Sequence, residues 1–159
     1  MISLRKVALS SPEAQALIGT LDAELSGRYP EEGSTYFRLD EDEVAPGRGV
    51  FLVAFRGDEP VACGAVRKLD AHSAELKRMY VVPAARGLGL GRQMLAALEI
   101  EAAALGVTTL LLETGTRNHE ALSLYAQQGY ARVPAFGEYV SSPFSVCMGK
   151  AVGAGISGA

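Results

Sequence analysis

The sequence has few of the residues that build disulfide frameworks or metal centres. It contains 2 cysteines and 2 histidines in 159 residues. Cys63 and Cys147 each lie within an apolar run, which favours buried reduced thiols over a disulfide or a pair of metal ligands. His72 and His119 have no cysteine or histidine at ligand spacing. We therefore expect surface histidines and no bound metal.

Long hydrophobic runs and an excess of positive charge are also missing. No apolar run approaches the length that a membrane span requires, and residues 1–10 lack the apolar core of a signal peptide. The formal net charge of −3 disfavours general nucleic-acid binding, which usually needs a basic surface. We therefore expect a cytoplasmic protein that binds neither membrane nor nucleic acid. Whether two copies form a homodimer stays open.

The composition that remains is typical of a globular protein. Hydrophobic residues make up 48% of the chain and charged residues 21%, which argues against a disordered or fibrous chain. A length of 159 residues is enough for one domain with a substantial core and too short for two ordinary domains. We expect a single domain over residues 1–150 and a flexible tail over residues 151–159.

A glycine-rich loop stands between a predicted strand and a predicted helix. The strand closes at Pro83, the loop has the pattern Arg86-x-x-Gly89-x-Gly91, and a long amphipathic helix follows. Glycines let backbone N–H groups turn toward one centre, and the start of a helix adds unsatisfied donors and the positive end of its dipole. The arrangement predicts a phosphate-binding loop.

Two familiar phosphate loops fit this spacing poorly. A Walker loop ends in Gly-Lys-Ser/Thr, whereas Gly91 is followed by Arg92 and Gln93. A dinucleotide fingerprint needs a third glycine, and the chain has Arg92 or Met94 there, depending on where the count starts. Glu113 keeps the dinucleotide hypothesis open, because it closes the next apolar run roughly where a ribose-binding acid would lie.

Hydrophobic periodicity predicts an α/β (α+β) chain in which strands precede and follow this loop. The predicted strands are 2–8, 50–56, 61–69, 74–82, 107–113, 130–133 and 144–148, and the predicted helices run from Pro12 to about Ser26, from the glycine loop to Leu105, and from Asn118 to Gly129. The segment from Gly27 to Gly49 has no clear period, and we expect a loop there.

Three features in order resemble the GNAT superfamily of acyl-CoA-dependent N-acyltransferases. They are the Arg86-x-x-Gly89-x-Gly91 loop, the strand before it, and the stretch NHEALSLYAQQGY with Asn118, Tyr125 and Gly129. The resemblance extends over nearly the whole chain. It implies a mixed, mostly antiparallel sheet of six or seven strands, flanked by about four helices, with a splayed gap between the Glu75 strand and the Val107 strand that holds acyl-CoA.

The resemblance also implies which residues bind the cofactor. Backbone groups of β-strand residues would bind the pantetheine amides, and loop N–H groups would bind the diphosphate. The implied cofactor-binding residues are Met79, Tyr80, Val81, Arg86, Gly87, Leu88, Gly89, Leu90, Gly91, Arg92, Asn118 and Tyr125. The guanidinium groups of Arg86 and Arg92 either contact phosphate or are solvated surface charges.

The chemistry needs a base for the attacking amine, a donor for the oxyanion and an acid for the leaving thiolate. The resemblance implies Tyr125 as the acid and a backbone N–H near Tyr80 as the oxyanion donor, although a core aromatic residue explains the spacing of Tyr125 equally well. Glu75 stands at the offset where some family members carry a glutamate base. A regular strand would place Glu75 on the same face as Lys77 and Met79. The ammonium group of Lys77 would then weaken Glu75 as a base. Glu113 or a water relay is the alternative.

The resemblance implies transfer of an acetyl group from acetyl-CoA to a primary amine of a small molecule or peptide, by direct attack in a ternary complex. A basic cluster at Arg67, Lys68, Lys77 and Arg78 favours an acceptor that carries an acid, and the acidic run from Asp40 to Glu43 favours a cationic amine. A non-catalytic acyl-CoA sensor and, more distantly, a dinucleotide-dependent oxidoreductase remain as alternatives.

The pocket for the acceptor follows from the resemblance alone. The elements that flank the gap in this fold correspond to the Arg28–Tyr36 segment, the Glu75 strand and the Phe136–Tyr139 loop, and we expect these to line it.

Overall fold

The structure, a computed structural model, describes residues 1–31 and 39–153 and is built on one seven-stranded sheet. The strands are β1 (Ile2–Lys6), β2 (Gly49–Arg56), β3 (Glu59–Lys68), β4 (Ser73–Val81), β5 (Thr109–Gly115), β6 (Ala131–Arg132) and β7 (Ser145–Ala151), and they lie in the order β1-β2-β3-β4-β5-β7-β6. All neighbouring strands pair antiparallel except β4 and β5. The predicted fold class is confirmed.

The described residues contain three α-helices, compared with the four or so that were expected. They are α1 (Pro12–Arg28), α2 (Leu90–Ala104) and α3 (His119–Gln127). Three short 3-10 turns accompany them, at Glu41–Val44, Pro83–Ala85 and Gly137–Tyr139. Residues 32–38, within the predicted loop and the predicted acceptor-side segment, and residues 154–159, within the predicted tail, lie outside the described residues.

Helix α1 covers one face of the sheet. Its first turn is capped by Ser11, whose side chain accepts a hydrogen bond of 3.2 Å from the backbone N–H of Ala14, and Pro12 follows where no backbone donor is needed. The helix buries Ala14, Leu17 and Leu21. These pack with Phe51, Val53, Phe55, Cys63, Ala65 and Tyr80 of the sheet. Burial of this apolar stripe fixes α1 across β2, β3 and β4.

Helix α2 packs on the opposite face at very short range. It buries Leu90, Met94, Leu95, Leu98 and Ala102. The approach is close at Gly64 of β3, where an added Cβ would lie 2.5 Å from Cδ1 of Leu98. Leu98 is fully buried, so its side chain has no free space to move into. Gly64 therefore sets the distance between α2 and the sheet.

Strand β4 contains a β-bulge directly before the glycine loop. Cys63 pairs with Tyr80 and Ala65 pairs with Lys77, so Gly64 alone faces two residues of β4. One of these, Arg78, has a positive φ of 56°. The extra residue reverses the side-chain alternation, and Met79 packs in the cluster on the α2 face. The expectation that Met79 shares a face with Glu75 is wrong, because it assumed a regular strand.

The predicted gap in the sheet is present between β4 and β5. These parallel strands are paired only from Ser73 to Leu76 and from Thr109 to Leu112. Strand β4 continues to Val81 and β5 continues to Gly115 without further pairing between them. The backbone of the second half of β4 is therefore open on its β5 side.

Among the described residues, no helix combines the length and the apolar character that would let it cross a membrane.

We predict that Gly64→Ala lowers the free energy of unfolding by about 1–3 kcal/mol, because the new methyl group overlaps the Leu98 side chain. Gly19→Ala is the matched control, since nothing lies within 4 Å of an added Cβ there and the residue is inside α1. This control should leave stability unchanged or raise it by up to about 1 kcal/mol. Chemical denaturation measures both, and equal stability of the two variants would contradict the close packing.

Candidate active site

A cleft of about 290 Å³ opens where β4 and β5 separate. Strand β4, the glycine loop, the first turn of α2, and α3 form its walls, and α1 closes one side. Eleven of the twelve residues predicted to bind the cofactor line this one cleft: Met79, Tyr80, Val81, Arg86, Gly87, Gly89, Leu90, Gly91, Arg92, Asn118 and Tyr125. The twelfth, Leu88, has a side chain that is 68% exposed.

The glycine loop has the geometry of an anion site. Gly87 and Gly89 have φ values of 82° and 76°, a left-handed conformation that residues with a Cβ adopt only under strain. Helix α2 begins at Leu90 without a side-chain cap and without an acidic residue in its first turn, which contains Arg92 instead. The unpaired N–H groups of this first turn and the positive end of the helix dipole therefore face the cleft, and no capping or acidic side chain of the turn neutralises them.

The arginines of the cleft differ in what they contact. The guanidinium group of Arg86 donates to both carboxylate oxygens of Glu24 at 2.8 and 3.0 Å and to the carbonyl of Val81 at 2.9 Å. Arg28 donates to Oδ1 of Asn118 at 3.0 Å. Arg92 forms no ion pair with any residue in the described part of the chain. Arg28 and Arg92 are thus the cleft arginines without a carboxylate partner in that part of the chain, and of the two only Arg92 lies in the first turn of α2.

Tyr125 lies on α3 and reaches the cleft from the side of the α2 face. Its ring contacts Tyr130 edge to face at a centroid distance of 5.8 Å, and no residue in the ranges 1–31 and 39–153 hydrogen-bonds to its hydroxyl group. Burial raises the pKa of this phenol, and the charge of Glu113 raises the pKa further. Tyr125 therefore stays protonated at neutral pH and presents a hydrogen-bond donor.

Glu113 is the first residue of β5 beyond the last pair with β4. It faces Cys147 of β7 and accepts a hydrogen bond of 2.5 Å from Ser145. Burial raises the pKa of this carboxyl group, as do the charges of Glu75 and Glu138, while Ser145 and Lys77 lower it. The net shift is upward, which makes Glu113 a stronger base than an exposed glutamate.

Glu75 has a different environment, although it lies on the same sheet. Its side chain is fully buried, and Arg67 donates to Oε1 from Nε at 2.9 Å and from Nη2 at 2.8 Å. The hydroxyl group of Tyr139 donates to the other oxygen, Oε2, in a short hydrogen bond. Arg67 also forms a close ion pair with Glu43. Both oxygens of Glu75 are therefore occupied by donors of the protein.

The cations of the predicted basic cluster are mostly paired. Arg67 contacts Glu43 and Glu75, Lys77 lies 3.5 Å from Glu138, and Arg78 lies 2.7 Å from Asp22. In the acidic run, the Glu43 carboxylate is used by Arg67 and by the backbone N–H of Asp40. The basic cluster leaves little unpaired charge, whereas Glu41 and Asp42 of the acidic run are exposed. These two charge patterns do not by themselves decide between an acidic and a cationic acceptor.

No group of three or more His, Cys, Asp or Glu side chains within the described ranges is arranged to hold a metal ion.

The comparison with known proteins decides the family. A family model described as the acetyltransferase (GNAT) family matches residues 15–130. The chain belongs to the GNAT family. It is accordingly an acyltransferase enzyme.

Individual GNAT proteins resemble the chain over most of its length. The IAA acetyltransferase of Azospirillum brasilense is 40% identical over 148 residues, which is 91% of this chain and 95% of that protein. The crystal structure of a putative acyl-CoA N-acyltransferase from Klebsiella pneumoniae has a TM-score of 0.83 at 35% identity and covers 96% of this chain and 98% of its own. A GNAT acetyltransferase of Elizabethkingia anophelis with acetyl-CoA bound shares the fold, with a TM-score of 0.68 at 17% identity and coverage of 95% and 98%.

Sequence reasoning missed the part of this GNAT cleft that α1 supplies. The missed α1 residues in the lining are Leu21, Glu24 and Leu25, while Arg28, which was expected on the acceptor side, also lines the cleft. Their spacing predicted the contact of α1 with the sheet, but nothing in the sequence linked Glu24 to Arg86 or Arg28 to Asn118. These pairs join residues that are 62 and 90 positions apart, so only the packing of α1 brings them together.

The raised pKa of Glu113 predicts a pH-dependent stability. A carboxyl group whose pKa is higher in the folded state stabilises the fold at low pH, and this contribution is lost as the pH rises through the folded-state pKa. Glu113→Gln should therefore raise the free energy of unfolding, relative to wild type, more at pH 8 than at pH 4. Denaturant unfolding at both pH values measures this. Glu59→Gln on the surface is the control, and an equal effect at both pH values would contradict the raised pKa.

Proposed function

We propose that this GNAT enzyme transfers an acetyl group from acetyl-CoA to a primary amine of a small molecule or peptide, by direct attack within a ternary complex. The observation that carries the proposal is the cleft at the separation of β4 and β5, which joins an anion site at the start of α2 to the hydroxyl group of Tyr125. A bound thioester would extend from the glycine loop toward the point of separation. The acetyl-CoA complex of the Elizabethkingia relative is consistent with this assignment.

Main-chain groups would hold the cofactor arm. The segment from Met79 to Val81 has no pairing to β5, so the main-chain groups on that side of the strand could bind the two amides of pantetheine, except for the carbonyl of Val81, which accepts from Arg86. The N–H groups from Gly87 to Arg92 would bind the diphosphate, and the guanidinium group of Arg92 would add a charge-assisted contact. Arg86 serves instead to tie the loop to Glu24 of α1.

Two side chains are suited to the proton transfers. The attacking amine loses a proton as its nitrogen bonds to the thioester carbon, and Glu113, which lies next to the point where β4 and β5 separate and has a raised pKa, would accept that proton. Tyr125 donates a proton to the sulfur as the carbon–sulfur bond breaks. A backbone N–H near Tyr80 would stabilise the oxyanion. Acetyl-CoA supplies the activated acyl group, and both side chains return to their starting states by exchange with water.

The compounds to test as acceptors are chosen from the expected primary amines and from what the relatives are named for. The Azospirillum brasilense protein is named for IAA. A panel of amino acids, polyamines, aminoglycosides and short peptides, with IAA added, therefore covers both the expected primary amines and the compound of that relative. Release of free coenzyme A thiol above the rate of hydrolysis identifies an acceptor, and the absence of release with every compound, despite tight binding of acetyl-CoA, would favour a sensor over an enzyme.

We predict that Tyr125→Phe lowers kcat about 100-fold with the best amine of the panel, because the leaving thiolate loses its proton donor. The dissociation constant for acetyl-CoA should stay within about twofold of wild type. Tyr130→Phe is the matched control: its hydroxyl group bonds to Glu99, outside the cleft lining. Thiol-release kinetics and calorimetry measure both quantities. Wild-type kcat in Tyr125→Phe would remove Tyr125 from the mechanism.

We further predict that Arg92→Ala weakens acetyl-CoA binding about tenfold, because one charge-assisted phosphate contact is lost. Its free energy of unfolding should change by no more than about 0.5 kcal/mol. Arg86→Ala should instead lower stability through loss of its contacts with Glu24 and Val81, with a smaller direct effect on binding. Calorimetry at two salt concentrations tests this, and a larger binding loss in Arg86→Ala than in Arg92→Ala would reverse the assignment.

A further inference from the structure

Two surface turns on the α1 face of the sheet are anchored to a single buried carboxylate. The Gly137–Tyr139 turn lies in the connection between β6 and β7, and its Tyr139 hydroxyl group donates directly to Oε2 of Glu75. The Glu41–Val44 turn lies before β2, and its Glu43 is held by Arg67, which also donates to Oε1 of Glu75. The chain Glu43–Arg67–Glu75–Tyr139 therefore joins segments that are far apart in sequence.

The Gly137–Tyr139 turn and the chain after it have further attachments near the place where the thioester would react. Glu138 lies 3.5 Å from the ammonium group of Lys77, the first residue of β4 beyond its pairing with β5. Ser142, in the chain after the Gly137–Tyr139 turn, contacts Ser145 at 2.8 Å, and Ser145 donates to Glu113. Because the diphosphate end lies at the start of α2, the reacting end lies toward Lys77 and Glu113. The Gly137–Tyr139 turn and the chain after it are therefore linked to both residues, Lys77 and Glu113, that stand where β4 and β5 part.

The contacts of Glu75 leave it poorly suited to accept a proton from a substrate. Its side chain has no exposed surface, and both of its oxygens accept hydrogen bonds from Arg67 and Tyr139. A general base must come within hydrogen-bond distance of the proton it removes, directly or through one water molecule. The contacts of Glu75 with Arg67 and Tyr139 instead suit a residue that holds these two side chains in place.

We propose that Glu75 is a positioning residue, which holds the Glu41–Val44 and Gly137–Tyr139 turns in the arrangement that receives the acceptor. The inference rests on the proposed acetyl transfer, because it assigns the two turns to the acceptor side of that reaction. Glu75 acts through Arg67 and Tyr139 and does not exchange a proton with the substrate. Its replacement therefore affects acceptor binding and leaves the protonation steps of Glu113 and Tyr125 intact.

The structural part of the proposal is tested without any ligand. Hydrogen–deuterium exchange is followed in wild type, Glu75→Gln and Tyr139→Phe, and Tyr130→Phe is the control that loses a tyrosine hydroxyl elsewhere. Glu75→Gln should speed exchange about tenfold or more in both turns, since both anchors end on this carboxylate. Tyr139→Phe should do so only around the Gly137–Tyr139 turn. Wild-type exchange in both turns of Glu75→Gln would overturn the proposal.

The kinetic part uses the best amine of the panel. Glu75→Gln and Tyr139→Phe should each raise the acceptor KM about tenfold, with kcat within about threefold of wild type. The acidic limb of the kcat/KM profile should persist in both variants, unshifted in Tyr139→Phe and moved to lower pH in Glu75→Gln, because the charge of Glu75 raises the pKa of Glu113. The double variant should be no worse than Glu75→Gln alone, because both changes break one connection. Loss of the acidic limb in Glu75→Gln, with wild-type kinetics in Tyr139→Phe, would show that Glu75 is the base. Failure of acetyl-CoA to bind wild type would overturn the proposed function. The hydrogen–deuterium exchange experiment would still test whether Glu75 anchors the two turns.

Discussion

The end of the pairing between β4 and β5 is the constraint on which the rest of the site depends. These strands are parallel neighbours for four residues each and then separate after Leu76 and Leu112. The separation exposes main-chain groups of β4 inside the protein, where polar groups need partners. A ligand with amides along its length supplies such partners. The bulge at Arg78 contributes to the same region, because it exchanges the faces of the residues after it, so that Met79 lies on the α2 face and Tyr80 on the α1 face.

Charge around the cleft is arranged so that most cations have carboxylate partners. Arg86 is held by Glu24, Arg78 by Asp22, Lys77 by Glu138, and Arg67 by Glu43 and Glu75. These pairs tie α1 and the two surface turns to β3, β4 and the glycine loop. In the first turn of α2 the arrangement differs, because Arg92 adds a positive charge to a helix end that is already positive. Such an end is suited to a dianionic group that arrives with the ligand.

Glu75 and Glu113 show how the surroundings separate the roles of two identical side chains. Both carboxyl groups lie near the point where the strands part, Glu75 fully buried and Glu113 partly buried. Glu75 receives a guanidinium group and a phenol hydroxyl, which together use both of its oxygens. Burial and the nearby charges of Glu75 and Glu138 raise the pKa of Glu113, against the lowering effect of its serine donor. The first environment leaves neither oxygen of Glu75 for another partner, and the second favours exchange of a proton by Glu113.

The sequence by itself determined the fold class and the position of the glycine loop, and its resemblance to the GNAT superfamily implied the family and the gap between the two parallel strands. These depend on local patterns such as Arg86-x-x-Gly89-x-Gly91, and on hydrophobic periods that each element carries within itself. Only the tertiary structure decided that Arg86 pairs with Glu24, that Met79 leaves the face of Glu75, and that Glu75 is enclosed by Arg67 and Tyr139. The physical reason is that a side chain's partners and burial are set by elements that come from distant parts of the chain, and a bulge of one residue changes the face on which every following side chain lies.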